Sequence, residues 1–126
     1  MGQKWKPEIQ SFKTNANFSA NSWHIVKFAA DADIDLCGAG ELMFGALTDE
    51  VGEANTDDKY VDVQVGGVIK VEAGATVTGG TLVMSNAAGE AIPVTTGNYA
   101  LGQAIQGGAD GELISVLWSV SYYEEG

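Results

Sequence analysis

The sequence predicts an all-β domain: a small β-barrel or tulip-like sandwich with few or no helices and an extended N-terminal arm. Fifteen of the 17 glycines lie between Gly38 and Gly111, and each glycine inside a helix costs about 1 kcal/mol relative to alanine. These glycines separate short runs rich in valine, isoleucine and threonine, which are typical of strands. With 126 residues, 45% of them hydrophobic, the chain is long enough for one domain and too short for two.

The short apolar or alternating runs place the strands in order. We expect strands within 23–30, 32–36, 41–48, 60–65, 68–72, 76–78, 81–84, 91–95, 99–105 and 112–123. An acidic loop is expected at 49–58 and a turn at 86–89. Because Pro93 has no N–H to donate, its strand is expected at a sheet edge or a bulge.

Two strands show the clearest alternation. Val61, Val63 and Val65 are expected on one face of their strand, opposite Tyr60, Asp62 and Gln64. One face of the last strand consists of large side chains: Ile114, Val116, Trp118, Val120 and Tyr122. This pattern predicts that the last strand lies at the centre of the core.

Residues 1–22 differ in composition from the rest and are expected to form an arm, extended or disordered alone, before a single β domain at 23–126. Residues 1–27 carry four lysines and one acid, whereas the remaining chain carries sixteen acids and two lysines. The arm is interpreted either as a frayed terminus or as a segment that orders on a partner. Its expected contact residues are basic or apolar: Lys4, Trp5, Lys6, Ile9, Phe12, Lys13 and Phe18.

The charge balance excludes several classes of partner. The net charge is −11 and the chain has no arginine, so neither nucleic acid nor an anionic membrane is expected to bind. No apolar stretch reaches the roughly 18 residues that a membrane helix needs, and the first residues do not resemble a secretory signal. Cys37 is the single cysteine; it is expected to be a small buried hydrophobe in a protein made in a reducing compartment.

The candidate chemical residues do not form a recognisable catalytic or metal motif. His24 is the only histidine and cannot form a zinc site with Cys37 alone, so a structural role is expected. Asp31, Asp33 and Asp35 resemble the start of a calcium loop, but the following positions do not continue that pattern and favour a strand with an acidic face. We therefore predict no enzyme activity, no catalytic residues, no cofactor and no metal.

One enzymatic alternative stays open. The acids of the 49–58 segment are expected to form a solvated loop, although a small hydrolase could draw on paired carboxylates there. The residues in question are Asp49, Glu50, Glu53, Asp57 and Asp58.

The order of six segments resembles the small head-decoration (cement) proteins of tailed bacteriophages. The segments are FGALT at 44–48, VDVQVGGV at 61–68, GATVTGGTLVM at 74–84, AGEAIPV at 88–94, ALGQAI at 100–105 and GELISVL at 111–117. The part from Leu82 to Leu117 is also similar to the lambda-type decoration domain. The resemblance covers about residues 41–120 and does not include the arm.

This resemblance implies a structural protein of the virion. Such proteins are made in the host cytoplasm and bind the outside of the expanded capsid, often as homotrimers at three-fold and quasi-three-fold sites. Their partner is the major capsid protein, and they cement neighbouring capsomers against the pressure of packaged DNA. In this interpretation the arm residues contact the capsid, or the arm instead adds a strand to the body.

A different virion module is the main alternative. A tail, receptor-binding or carbohydrate-binding β domain would present a row of exposed aromatic side chains, for which the candidates are Trp5, Trp23 and Trp118. Periodicity places Trp118 on the buried face of its strand, which argues against such a row.

Overall fold

The computed structural model describes residues 8–14, 21–29, 33–48 and 59–124, and these form ten strands. The strands are β1 (Ile9–Thr14), β2 (Ile25–Phe28), β3 (Ile34–Leu36), β4 (Gly45–Leu47), β5 (Lys59–Gln64), β6 (Val68–Glu72), β7 (Leu82–Ser85), β8 (Ala91–Pro93), β9 (Asn98–Gln106) and β10 (Leu113–Tyr123). The described part of the chain contains no helix, which confirms the all-β prediction. It accordingly offers no helical segment of the length and apolarity needed to cross a bilayer.

The strands form two five-stranded antiparallel sheets. The first sheet has the order β1-β5-β4-β2-β3, and the second has the order β6-β10-β9-β7-β8. Within the described residues no ladder joins the edge strands β1 and β3, so the architecture is a sandwich rather than a closed barrel. Pro93 ends β8 at the edge of the second sheet, as its missing N–H predicts.

The inter-sheet core lies between the two sheets. Ile25 and Ala46 of the first sheet belong to the same buried cluster as Ile69, Leu101 and Val116 of the second sheet. β10 pairs with β6 on one side and β9 on the other, so it is an interior strand of its sheet, and its Ile114 and Val116 belong to the inter-sheet core.

Burial falls off along β10. Ile114 and Val116 are buried, Trp118 is half-buried, and Tyr122 is 54% exposed. The predicted face is therefore fully buried only in the first half of the strand, and Trp118 and Val120 beyond it pack against the inter-sheet core in part.

A second buried cluster lies on the opposite face of the first sheet. Adjacent strand residues point to opposite faces, so Val26 and Leu47 face away from the core that Ile25 and Ala46 enter. The buried members of this first-sheet cluster are Val26, Ile34, Leu47, Val61 and Val63.

The first sheet is curled around this cluster. Its two edge strands, β1 and β3, approach each other to within 8 Å between Cα atoms. The curl covers the valines of β5 as the alternation predicted. Gln64 lies opposite these valines, as the alternation predicted, but it is buried at 3% exposure.

Gln64 is buried because its side faces the second sheet. Its side-chain amide donates to the carbonyl oxygens of Leu47 (3.2 Å) and Lys70 (3.1 Å), and its Oε1 accepts from the N–H of Lys70 (3.1 Å). These three bonds satisfy the buried amide and connect the two sheets.

One local prediction differs from the structure. Residues 76–78 are not a strand; Val77 makes an isolated bridge to Gly108 instead. Part of the N-terminal arm adds a strand to the body, which is one of the two alternatives left open above: β1 runs antiparallel to β5 with Phe12 opposite Val61. The expected boundary between residues 22 and 23 stays a prediction.

Candidate functional site

The outer face of the second sheet carries an apolar groove. Because Ile114 and Val116 point into the core, Leu113, Ser115 and Leu117 point outward. A surface cavity of about 350 Å³ lies over this face and is lined by Val68, Ile105, Gln106, Ser115 and Leu117. We refer to these five residues as the outer groove.

A β-bulge shapes the outer groove. Ser115 pairs with Gln106 and the next residue, Val116, pairs with Ala104, so Ile105 is the extra residue on β9. Ile105 is 55% exposed beside the groove. On the other side, β6 places Val68 opposite Leu117. The neighbouring strands β9 and β6 therefore place the apolar side chains of Ile105 and Val68 beside the outward-facing residues of β10.

This surface is poor in charge although the protein is strongly acidic. Strands β6, β9 and β10 contain one acidic residue, Glu72, and one lysine, Lys70. Leu113, also on the outward side of β10, is 45% exposed. Apolar character together with depletion of charge is typical of the central part of a protein–protein interface.

An aromatic trio lies at the first sheet. Phe28 and Phe44 stack with ring centroids 3.9 Å apart, and Phe12 contacts both rings edge-on at 5.6 Å and 5.0 Å. Phe12 and Phe44 pack against the first-sheet cluster, whereas Phe28 is 50% exposed. Phe12, predicted to contact a partner, thus packs inside its own domain.

The other predicted arm residues are only partly described. Ile9 is 50% exposed on β1, and Lys13 lies on β1 opposite Tyr60 in the register. Lys4, Trp5, Lys6 and Phe18 lie outside the described residues. A capsid-contacting role of the seven residues stays a prediction.

His24 is buried at 6% exposure and both ring nitrogens have partners. Nδ1 lies 2.8 Å from the carbonyl oxygen of Ala88, and Nε2 lies 3.3 Å from Oε1 of Glu72. The structure also brings Glu90 to this place. Nothing in the sequence spacing indicated these two carboxylates, since they come from distant strands.

Of the remaining acidic candidates, the structure describes Asp33 and Asp35, and neither belongs to this cluster. Asp33 and Asp35 accept hydrogen bonds from the N–H groups of their own following residues, at 3.2 Å and 2.8 Å. Asp35 is exposed on β3, as expected for a strand with one acidic face. Asp31 and all acids of the 49–58 segment lie outside the described residues, so the hydrolase alternative and the absence of enzyme activity both stay predictions.

Cys37 is completely buried, as its interpretation as a small hydrophobe requires. Burial raises the pKa of its thiol to about 11, so the thiol is protonated and a poor nucleophile at neutral pH. Nearby, Lys27 Nζ donates to Glu41 Oε1 at 2.7 Å. This hydrogen bond raises the pKa of Lys27 and lowers the pKa of Glu41.

The tryptophans do not form a row of exposed aromatics in the described part of the chain. Trp118 is half-buried and its indole N–H donates to the carbonyl oxygen of Phe44 at 3.2 Å. Trp23 is half-buried before β2, and Trp5 lies outside the described residues.

No protein-family model matches the chain, and no curated protein sequence matches it. Among solved structures, the chain is similar to the N base of head fiber gp8.5 in bacteriophage phi29. The TM-score is 0.70 at 17% sequence identity, and the match covers 94% of this chain and 100% of that chain. The likeness establishes a shared fold and does not single out the lambda-type decoration family.

Proposed function

We propose that this chain is a structural protein of a tailed-phage virion that binds the outside of the expanded capsid and cements neighbouring capsomers. The observation that carries the proposal is the whole-chain fold likeness to the base of a phage head fiber. A head-fiber base is itself a component of a virion head, so the same fold can serve this setting. The order of sequence segments described above supports the same class independently.

The proposal includes the partners and the place of action. The protein is made in the host cytoplasm, binds the major capsid protein, and is carried on the capsid exterior. It acts through adhesion rather than catalysis, and it binds neither nucleic acid nor membrane. Its net charge of −11 keeps it soluble at high copy number and disfavours contact with DNA.

The outer groove supports self-association as a homotrimer at three-fold and quasi-three-fold sites. Copies of a chain with net charge −11 repel one another, so they associate most readily through a surface that is poor in charge. The outer face of β6, β9 and β10 is such a surface, and it exposes Ile105 and Leu113. We therefore assign a second copy of this chain to the outer groove.

Analytical ultracentrifugation tests the homotrimer. Ile105→Lys places a charge in the outer groove without touching the inter-sheet core, and we expect it to convert trimers to monomers at micromolar concentration. Leu42→Lys is the matched control, because Leu42 is equally exposed at 55% but lies away from the groove. A wild-type protein that sediments as a monomer at micromolar concentration would contradict a preformed trimer.

Co-sedimentation with expanded shells of the phage that encodes the protein tests capsid attachment. Deletion of residues 1–7 removes Lys4, Trp5 and Lys6 but retains β1, and we expect it to weaken binding. A deletion of residues 1–22 is a poorer test, because it also removes the strand that pairs with β5 and the ring of Phe12. Full-length protein that does not sediment with the shells would refute the proposed function, and undiminished binding after the short deletion would refute the role of the arm.

A head-fiber attachment base is the second candidate, and the solved structure named above favours it. The two functions differ in what the particle shows. Electron microscopy of intact virions would reveal a projecting fiber above each copy if the chain is an attachment base, and compact protrusions spanning capsomer boundaries if it is a cement protein.

A further inference from the structure

Three side chains that can bind metals converge where the two sheets meet. His24 directly precedes β2 of the first sheet, Glu72 ends β6, and Glu90 directly precedes β8 of the second sheet. One ligand atom from each lies within 4.8 Å of the other two. We refer to these three residues as the ligand cluster.

The hydrogen bond at Nδ1 determines what Nε2 can do. The carbonyl oxygen of Ala88 only accepts hydrogen bonds, so Nδ1 of His24, 2.8 Å away, carries a proton. In a neutral imidazole Nε2 then presents a lone pair. It faces Glu72 Oε1 at 3.3 Å, which is also an acceptor when ionised. Two acceptors at this distance repel each other unless a proton or a cation lies between them.

The cluster has the donor types of a zinc site, and one of its ligand–ligand distances matches such a site. Imidazole nitrogen and carboxylate oxygen bind Zn²⁺ at about 2.0–2.2 Å, so neighbouring ligands of a tetrahedral ion lie about 3.4 Å apart. The 3.3 Å between Nε2 and Glu72 Oε1 corresponds to one such edge. Two carboxylates also balance the charge of a divalent cation. Protonation of Nε2 would satisfy Glu72 alone, whereas a cation would be bound by Glu72 and Glu90 together.

The surrounding backbone holds the ligand cluster in position. The N–H of Glu72 donates to the carbonyl oxygen of Trp23 (3.0 Å), which ties the end of β6 to the residue before His24. Trp23 has a φ of 67°, so the turn before His24 adopts the left-handed region that side chains disfavour.

Hydrogen bonds also fix the turn between β7 and β8, which carries Glu90. Asn86 Nδ2 donates to Glu90 Oε1 at 3.0 Å, and Asn86 Oδ1 accepts from the N–H of Glu90 at 2.9 Å. The N–H of Ile25 donates to the carbonyl oxygen of Gly89 at 2.6 Å, which joins this turn to β2. Asn86 therefore orients Glu90 in the way that hydrogen-bonded neighbours orient metal ligands.

We propose that His24 Nε2 and the carboxylates of Glu72 and Glu90 bind one Zn²⁺ ion that links the first sheet to the second. The Nδ1–H bond to a backbone carbonyl is the arrangement commonly seen in metal-binding histidines. Glu72 is 32% exposed at its side chain, so the ion has a route from solvent and room for a water ligand. This inference is independent of the proposed virion function.

Calorimetric titration of the full chain with ZnCl₂ at pH 7.5, and with CaCl₂ as the contrast, tests the site. We expect one tight Zn²⁺ per chain and no comparable heat with Ca²⁺, because calcium takes oxygen ligands. Glu90→Gln should weaken zinc binding by at least about tenfold. Glu124→Gln is the matched control, because Glu124 is an exposed carboxylate away from the cluster, and it should leave the affinity unchanged.

A spectroscopic measurement on the wild-type chain covers the case in which His24 variants fail to fold. Nitrogen NMR of the imidazole should show Nδ1 keeping its proton while Nε2 shifts on addition of one equivalent of Zn²⁺. The proposal is overturned if the Nε2 resonance does not change in excess zinc. It is also overturned if Glu90→Gln and Glu124→Gln bind zinc equally, or if Ca²⁺ competes fully for the site.

Discussion

The outer faces of the two sheets differ in how far the described part of the chain covers them. The first sheet curls over its outer face and buries Val26, Leu47 and Val63 completely, with the aromatic trio beside them. The second sheet leaves its outer face open, so that Ile105 is 55% exposed and Leu117 half-buried. Both faces are built from apolar strand residues, yet only one is covered by the described chain itself.

This difference separates residues that stabilise the fold from residues available to a partner. A side chain with no exposed surface contributes its full transfer free energy to folding, whereas an exposed one contributes little until something covers it. The first-sheet cluster therefore belongs to the stability of the monomer. The outer groove is expected to contribute mainly to assembly.

The largest loss of folding stability is expected for a substitution in the first-sheet cluster. Leu47→Ala removes a fully buried side chain and should lower the free energy of unfolding by about 2–5 kcal/mol. Leu117→Ala in the outer groove should cost only about 1 kcal/mol. Urea unfolding, at a concentration where both variants are monomers, measures the two values. Equal losses would mean that the two faces do not differ in the way described.

An intermediate loss of folding stability is expected for a substitution in the aromatic trio. Phe28→Ala removes a ring that is half exposed but stacked on Phe44 at 3.9 Å, and should cost about 1–2 kcal/mol. Leu42→Ala is the comparison, because Leu42 is similarly exposed but belongs to neither buried cluster. Thermal unfolding of the two variants distinguishes them. If both melt at the same temperature, the trio does not protect the first-sheet cluster.

The smallest loss of folding stability is expected when the ion pair of Lys27 and Glu41, on the first-sheet side, is removed. Because hydrogen bonds from Lys27 and from the N–H of Gly38 lower the pKa of Glu41, ionised Glu41 favours the folded state. That contribution is present at neutral pH and is lost as the pH falls through the lowered pKa. Since both side chains are partly exposed, it amounts to less than about 1 kcal/mol.

Glu41→Gln makes this contribution measurable. Urea unfolding at pH 7 and at pH 3 should show a stability difference between wild type and variant at pH 7 that shrinks at pH 3. Glu124→Gln serves as the control for removing one negative charge. A difference that is the same at both pH values would show that the ion pair does not favour folding.

The strands with strong local patterns were predicted closely. The run 68–72 is β6 as expected, and Pro93 does mark an edge strand. The prediction at 76–78 was wrong because Val77 forms a single bridge to Gly108 and no continuous ladder. β1 was not identified as a strand because its sequence, IQSFKT, lacks the regular alternation of apolar and polar residues used to place the other strands.

The candidate sites were harder to anticipate than the strands. β10 has apolar side chains on both faces; periodicity identified the face of Ile114 and Val116 as the buried one, but it could not indicate whether another element would cover the face of Leu113 and Leu117. The ligand cluster joins His24 to Glu72, which lies 48 residues away. No local spacing rule connects residues that meet only through the packing of two sheets.

The sequence by itself determined the structural class and the general character of the surface. Glycine spacing disfavours helices, alternation places strands, and the excess of acids predicts that nucleic acid is not a partner; each depends on short-range conformational preference or on summed charge. Only the tertiary structure decided that the first sheet curls, that the outer groove stays open, and that His24 meets two carboxylates. These features depend on which distant strands pair and in which register, and non-local burial determines that choice.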